Sequence, residues 1–241
     1  MTMNVEFVGQ SVEYVGGYGG DETIESAART CTQTEVGGDS EGFVKRLVER
    51  GHMSPTEFGW ADVRLEVDRA IQQELTRHRH FTFNIESTRL VNYLKKALRF
   101  VTKPPEGMDV PPEAVELLEN LCVTCAEVYE TLIKMGAPRD YARKALPLAT
   151  ASKMRMAGNS RAWMEMITKR VTKAAHPEIR EIAGKVADEL GKRFKGLFSA
   201  VPQQGSNDPT TTDGQRELYK RGRVPHAHVI REEDGTIHRA D

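Results

Sequence analysis

The chain has 241 residues, which is enough for one domain with a substantial core or at most two small ones. Hydrophobic residues make up 39% and charged residues 29%, an ordinary composition for a globular protein. Because 34 basic side chains are matched by 35 acidic ones, the near-zero net charge argues against extended binding to nucleic acid or to a membrane surface.

The N-terminal residues and the cysteines indicate the cellular setting. The first fourteen residues contain acids and no basic region, which does not resemble a signal peptide. No apolar run approaches the roughly 18 residues that a membrane span needs. The three cysteines, Cys31, Cys122 and Cys125, are too few for a disulfide scaffold. We therefore expect a cytoplasmic protein.

The first 51 residues predict a strand followed by two helices. Apolar alternation over 5–15 predicts a strand or a hairpin that is broken by the glycine pairs of 16–20. A short helix is expected over 23–28. A second helix begins at its N-cap Asp39, runs to Arg50 and is closed by Gly51.

A strand, a helix and a loop are expected next. Residues 60–67 alternate as a half-buried strand does. Asp68 can start a helix that runs out at 77–79. Residues 80–100 alternate irregularly, and the proline-rich segment 103–112 predicts a loop.

The rest of the chain is dominated by helical patterns. An apolar stripe predicts a helix over 113–135, and further helices are expected after Pro138, over 158–174 and over 177–198. Strands followed by helices predict a single α+β domain, 1–200, with helices packed on a mostly antiparallel sheet. The polar tail, 201–241, is expected to be mobile or to cover a neighbouring subunit.

The densest group of chemically active side chains lies between 77 and 89. Arg77, His78 and Arg79 are consecutive, and Ser87 and Arg89 follow closely. Planar guanidinium groups hold phosphate oxygens in pairs, so this set predicts a site for a phosphate or a pyrophosphate. The phenylalanines at 81 and 83 offer flat surfaces for an aromatic ring.

Two alternatives stay open on the residues alone. Basic residues at the end of a helix also stabilise the helix dipole. A metal site on His78 and His80 is disfavoured, because no cysteine or carboxylate lies at a ligand spacing and the adjacent arginines would repel a cation. We therefore predict no metal.

The spacing of this group resembles the signature of flavin-dependent thymidylate synthases, in which Arg-His-Arg is followed by seven residues, Ser and then Arg. Four further segments resemble elements of the same family in the same order. They are Ala27-Ala28-Arg29, His52 to Glu57 with its Ser54-Pro55, Ala142 to Pro147 with its Arg143, and Asn159-Ser160-Arg161 followed by Arg170. These matches cover about residues 23–180.

The resemblance implies a set of site residues. FAD would be bound by Cys31, Ser54, Glu57, Arg77, His78, Arg79, Asn84, Asn159 and Arg161. The substrate dUMP would be bound by Glu74, Ser87, Thr88, Arg89, Arg143 and Arg170. Catalysis would involve Ser87 and Arg170 at the nucleotide, and His52 beside the flavin ring.

The resemblance also implies a reaction and an assembly. NADPH would reduce FAD, a one-carbon unit would pass from methylene-tetrahydrofolate to dUMP C5, and hydride would complete the methyl group of dTMP. No cysteine nucleophile is needed, in keeping with Cys122 and Cys125 on an apolar helix stripe, where buried thiols are expected. Members of this family are homotetramers with FAD and dUMP at shared subunit interfaces.

Several of these residues also have simpler structural explanations. Ser54 and Glu57 have the spacing of a capping box, and Asn159 is suited to cap a helix. Arg143 and Arg170 can also be exposed charges on helices. His176, before Pro177, is expected to belong to a helix start.

The chain departs from the family pattern at five positions: Ile85, Glu86, Leu90, Glu165 and Ala174. These departures leave open a family member that has kept the fold and lost flavin. A second alternative is a non-catalytic nucleotide- or RNA-binding protein that uses the same basic and aromatic cluster.

Overall fold

The computed structural model describes residues 3–202, 204–206, 229–231 and 237–239. The chain divides into two compact units, Met1–Ser206 and Asn207–Asp241. In the second unit the described residues form two antiparallel strands, Val229–Arg231 and Ile237–Arg239. Most of the predicted tail lies outside the described residues, so its boundary at residue 200 and its mobility stay predictions.

The first unit is built from strands and helices that follow one another along the chain. The strands are β1 (Val5–Val8), β2 (Ser11–Tyr18), β3 (Trp60–Asp68), β4 (Thr82–Ile85), β5 (Leu98–Val101) and β6 (Ala151–Asn159). The helices are α1 (Asp21–Arg29), α2 (Ser40–Glu49), α3 (Arg69–Leu75), α4 (Pro112–Lys134), α5 (Arg139–Ala142), α6 (Ser160–Arg170), α7 (Pro177–Gly191) and α8 (Lys195–Phe198). Two 3₁₀ turns, Ser54–Phe58 and Arg143–Ala145, connect them. The prediction of one α+β unit with helices on sheets is confirmed.

The main sheet has the order β2-β3-β6-β4, and its pairings are antiparallel. A hairpin over 5–15 is not formed, because β1 pairs in parallel with the distant β5 while β2 pairs with β3. Strand β2 also continues through Gly16 and Gly17 to Tyr18. Gly17 is required there, because a side chain would collide with the backbone carbonyl of Trp60.

Strand β6, at the centre of this sheet, was missed by the sequence analysis. The helix expected from residue 158 begins only at Ser160, because residues 151–159 are extended between β3 and β4. A signal was present: buried Met154 and Met156 alternate with the more exposed Lys153 and Arg155.

The helix expected over 177–198 is interrupted. Helix α7 ends at Gly191, and the short α8 follows after buried Phe194. The Asp21 carboxylate accepts a hydrogen bond of 2.7 Å from the backbone N–H of Gly196, so the start of α8 is held by α1. This contact joins residues 175 positions apart and so has no local sequence signal, whereas Gly191, at the end of α7, is a local signal that the sequence analysis missed.

Two hydrophobic cores support these elements. The larger one lies between the sheet and helices α6 and α7, with fully buried Trp163 at its centre and its Nε1 donating to the Ala61 carbonyl. In the smaller one, Phe100 of β5 packs with Tyr129 of α4. None of the helices in the described part of the chain combines the length and apolarity of a membrane span.

Candidate functional site

The signature segment forms a turn between α3 and β4. Helix α3 ends at Leu75 with Thr76 as its C-cap, slightly before the predicted end at 77–79, and the backbone then passes through residues 77–81 into β4. Arg77 and Arg79 are exposed on this turn. Within the described residues, neither guanidinium forms an ion pair or a side-chain hydrogen bond, so both are available to an anionic ligand.

His78, between these two exposed arginines, is partly buried. Its Nε2 accepts a hydrogen bond of 3.2 Å from Nε of Arg170, at the end of α6. Burial, followed by the positive charges of Arg170 and Lys169, lowers the pKa of His78 to about 4. The imidazole is therefore neutral at pH 7 and acts as an acceptor. The structure thus brings together one predicted flavin residue and one predicted nucleotide residue.

Glu74 lies on the other side of Arg170. One carboxylate oxygen of Glu74, Oε2, is 3.8 Å from Nη1 of Arg170, and the other, Oε1, is 2.7 Å from Nε2 of His176. His176 is the N-cap residue of α7, as the sequence suggests, but its side-chain contact was missed. The two residues are 102 positions apart, so no local pattern could have found this contact.

The loop after β4 carries the predicted phosphate-binding residues. The Arg89 backbone N–H donates to Oγ of Ser87 at 3.3 Å, and its Nε donates to Oδ1 of Asp140 on α5 at 3.2 Å. Both partners of this ion pair are 58% exposed, so it contributes little and can be exchanged for another anion. Arg143, in the 3₁₀ turn after α5, is exposed, whereas Thr88 is buried.

A third group joins the 3₁₀ turn of Ser54–Phe58 to α6. Arg161 donates from Nη1 to Glu57 at 2.8 Å and from Nε to Glu165 at 2.9 Å. The Oδ1 atom of Asn159 accepts from the Ala162 N–H at 2.8 Å, so the capping role expected for Asn159 is present. These residues and His80 line a polar cavity of about 290 Å³.

Ser54 and Glu57 do not form the capping box that their spacing suggested. The N-cap of this turn is Met53, and no side chain caps it. Glu57 is instead bound to Arg161. Both Ser54 and Glu57 are exposed and thus accessible to a ligand.

His52 and Cys31 both come from the N-terminal third of the chain. His52 lines a separate cavity of about 460 Å³, between α1 and α2. Cys31 is exposed in the turn after α1. Neither residue lies among those that line the polar cavity at Arg161.

Two of the five departures from the family pattern, Glu86 and Glu165, have hydrogen-bonding partners. Glu86 accepts a hydrogen bond of 2.8 Å from the buried Tyr93 hydroxyl, and burial together with this carboxylate raises the pKa of Tyr93. Glu165 is held by Arg161, and Leu90 is 78% exposed. Ile85, Glu86 and the predicted flavin residue Asn84 line a further cavity of about 590 Å³.

The cysteines do not form a reactive pair. Cys122 is buried, and burial raises the pKa of its thiol to about 11, so it is protonated at neutral pH. Cys125 is only partly buried, less than expected. Among the described residues, no group of three or more His, Cys, Asp or Glu side chains is placed to hold a metal ion.

Known proteins match this chain over the region that contains these residues. Residues 13–194 match the family model described as "Thymidylate synthase complementing protein", a span that contains every predicted site residue. A probable flavin-dependent thymidylate synthase of Mycobacterium phage L5 is 30% identical over 206 residues, 78% of this chain and 84% of the relative. The flavin-dependent thymidylate synthase of Mycobacteroides abscessus is 31% identical over 200 residues, 75% of this chain and 79% of the relative.

A solved structure has a similar fold. It is a UMP/dUMP methylase, PolB from Streptomyces cacaoi, bound with 5-Br dUMP. The TM-score is 0.70 at 25% identity, and the match covers 81% of this chain and 96% of the methylase.

Proposed function

Because this chain belongs to the flavin-dependent thymidylate synthase family, we propose that it methylates dUMP to dTMP, with methylene-tetrahydrofolate as carbon donor and FAD, reduced by NADPH, as hydride source. The observation that carries the proposal is the group in which Arg170 donates a hydrogen bond to His78 and forms an ion pair with Glu74. These residues come from α3, α6 and the signature turn, and they meet beside the exposed Arg77 and Arg79. The 5-Br dUMP bound by the Streptomyces cacaoi methylase supports a uridine nucleotide as substrate.

The residues present fit FAD. A pyrophosphate needs paired donors, and Arg77 and Arg79 are guanidinium groups without partners in the part of the chain that the structure describes. We assign the cofactor to Cys31, Ser54, Glu57, Arg77, His78, Arg79, Asn84, Asn159 and Arg161. When bound, the flavin supplies the two-electron reduction that completes the methyl group.

The dUMP phosphate would be held by charged donors on two separate loops. Ser87 and Arg89 lie after β4, and Arg143 follows α5. A dianion leaving water needs charge-assisted hydrogen bonds, and two guanidinium groups with a hydroxyl supply them. The phosphate would replace Asp140 as the partner of Arg89. Little free energy is lost in this exchange, because the Arg89–Asp140 ion pair is exposed. Thr88 completes the proposed phosphate loop.

Arg170 is proposed to act on the pyrimidine ring. As C5 becomes nucleophilic, negative charge spreads to the ring oxygens, and a guanidinium aimed there stabilises it. His78 accepts a hydrogen bond from Nε of Arg170 and so fixes the plane of the guanidinium. Because its imidazole is neutral, it does not repel the positive charge of Arg170. Glu74 would meet the sugar or base, and His52 would lie near the flavin ring.

We propose that the protein acts as a cytoplasmic homotetramer with sites shared between subunits. Helix α4 supports this assembly, because it leaves large apolar side chains in contact with solvent. Leu117 is 72% exposed, Leu121 52% and Val128 45%. Burying such a row against other copies of the chain would be favourable.

The proposal is tested by following flavin absorbance anaerobically after NADPH is added, with and without dUMP, and then by measuring dTMP formation. We expect bound FAD to be reduced, dUMP to change the reduction rate, and dTMP to form when the folate is present. Arg89→Ala should remove the effect of dUMP while FAD remains bound, whereas Lys192→Ala, which removes an exposed cation at the C-cap of α7, should behave as wild type.

Two outcomes contradict the proposal. A folded oligomer that binds no FAD would be a family member that has lost the cofactor. A protein that prefers oligonucleotides to dUMP, with binding that weakens steeply with salt, would be a nucleic-acid-binding protein.

A further inference from the structure

The cavity beside His52 contains basic side chains to which the proposed FAD and dUMP sites assign no role. Its volume is about 460 Å³. It combines an apolar wall with a polar rim, and its lining is Ala28, Arg29, Thr32, Thr34, Phe43, Arg46, Leu47, Arg50 and His52. The walls come from α1 and the loop after it, and from the C-terminal half of α2.

One of the three arginines already has its charge neutralised. Nε of Arg29 lies 2.6 Å from Oε1 of Glu25, a carboxylate whose side chain is 1% exposed. The Arg29 guanidinium also lies over the ring of Phe43, 4.7 Å from its centroid. Arg29 is therefore a fixed wall of the cavity, and its neighbour Phe43 presents an aromatic surface.

The other two arginines are free to bind an anion. Arg46 lies in the last turn of α2, and Arg50, four residues further on, is the C-cap residue in αR conformation, so both project from the same face. Arg46 is 3.7 Å from Asp39, and both are more than half exposed, so this pair contributes little. Among the described residues, Arg50 makes no ion pair. The cavity thus has an excess of positive charge at one end.

Stabilisation of the α2 dipole explains basic residues at the end of that helix, but it does not explain the rest of the cavity. Arg29 and two threonines converge on the same space from the opposite wall. The Arg29 Nη1 atom donates to Oγ1 of Thr34 at 3.1 Å, and the hydroxyls of Thr34 and Thr32 are 2.9 Å apart. An apolar slot that ends in cations and hydroxyls fits a flat ligand with an anionic end.

We propose that Arg46 and Arg50 in this cavity bind the anionic end of a co-substrate. The inference rests on the proposed function, since methylene-tetrahydrofolate and NADPH are its co-substrates. Both have the required chemistry, because the aminobenzoyl ring of the folate is followed by carboxylates and the adenine of NADPH is followed by a ribose phosphate. The aromatic ring packs on Phe43 and Leu47, and Arg46 and Arg50 hold the anion.

The test uses the double variant Arg46→Gln/Arg50→Gln, which leaves the Arg29–Glu25 pair in place. The matched control is Lys45→Gln/Lys192→Gln, which removes the same charge from exposed positions outside the cavity. Two fragments probe the FAD- and dUMP-loaded protein by titration calorimetry: 2′,5′-ADP for the ribose phosphate and p-aminobenzoyl-glutamate for the folate tail.

We expect one fragment to bind wild type and control equally, and to bind the arginine double variant about tenfold or more weakly, since each charge-assisted contact contributes about that factor. The KM of the matching co-substrate should rise by a similar factor with little change in kcat. A loss confined to 2′,5′-ADP, together with a lost preference for NADPH over NADH, assigns the cavity to the nicotinamide. A loss confined to the other fragment assigns it to the folate.

The inference is overturned if neither fragment binds wild type, or if the arginine variant and the lysine control bind alike. Its failure is separable from that of the proposed function. Fragment affinity is measured without turnover, whereas failure of the proposed function appears as absent dTMP formation in the wild-type protein.

Discussion

Replacement of Gly158 by alanine tests how the fold positions the signature segment. Gly158 lies in β6, and a Cβ atom there would be 2.6 Å from Cδ1 and 2.9 Å from Cε1 of Phe81. Non-bonded carbons prefer about 3.5–4.0 Å, so the ring has to move by about 1 Å. It cannot move onto Trp163, which is fully buried and already lies edge-to-face with it at 4.7 Å between centroids.

The expected cost follows from this clash. Overpacking of this kind costs about 1–3 kcal/mol, and the lower chain entropy of alanine returns about 0.4–1 kcal/mol. From the middle of each range, the net loss is about 1.3 kcal/mol, which corresponds to a Tm that is lower by about 3–5 °C for a chain of this size. Phe81 lies in the chain between Arg79 and Asn84, two residues of the proposed FAD site. A shift of Phe81 should displace them, so the affinity for FAD should fall as well.

Thermal unfolding and FAD titration measure both effects. Gly16→Ala is the matched control, since a Cβ at this glycine, also in a strand, meets nothing within 4 Å. The double variant Gly158→Ala/Phe81→Leu should lose less stability than the sum of the two single changes. Strict additivity, or a Gly158→Ala protein with wild-type stability and FAD affinity, would refute the reasoning.

Two further predictions concern His78 and Asn159. The unfolded chain binds more protons than the folded one between the folded pKa of His78, about 4, and its ordinary value of 6.5, so stability falls as pH drops through this window. Once it is discounted for the partial exposure of His78, this contribution to the free energy of unfolding is about 1–2 kcal/mol. In denaturant unfolding, the difference in unfolding free energy between wild type and His78→Gln should therefore change with pH. A difference that is independent of pH contradicts this prediction. Asn159→Ala should lose about 1 kcal/mol of unfolding free energy with its helix cap, whereas Asn159→Asp should keep the cap; equal losses in urea unfolding would exclude the capping role.

Local patterns in the sequence determined much of this protein. The N-cap Asp39, Gly51 and the apolar stripe of 113–135 predicted α2 and α4 because capping and helical periodicity involve residues only a few positions apart. The spacing of the Arg-His-Arg segment, Ser87 and Arg89, together with four further segments in the same order, likewise identified the family, which the comparisons confirm. The roles of the individual site residues stay predictions.

Tertiary structure alone decided the strand pairing and the contacts of the site. The parallel pairing of β1 with β5 and the contact of Asp21 with Gly196 depend on which distant surfaces meet, and the periodicity of the sequence does not contain that information. The contact of Glu74 with His176 and that of His78 with Arg170 join residues about a hundred positions apart. Sequence spacing therefore named the charged residues, whereas packing of α3, α6 and α7 around the sheet decided which of them neutralise one another and which stay free to bind a ligand.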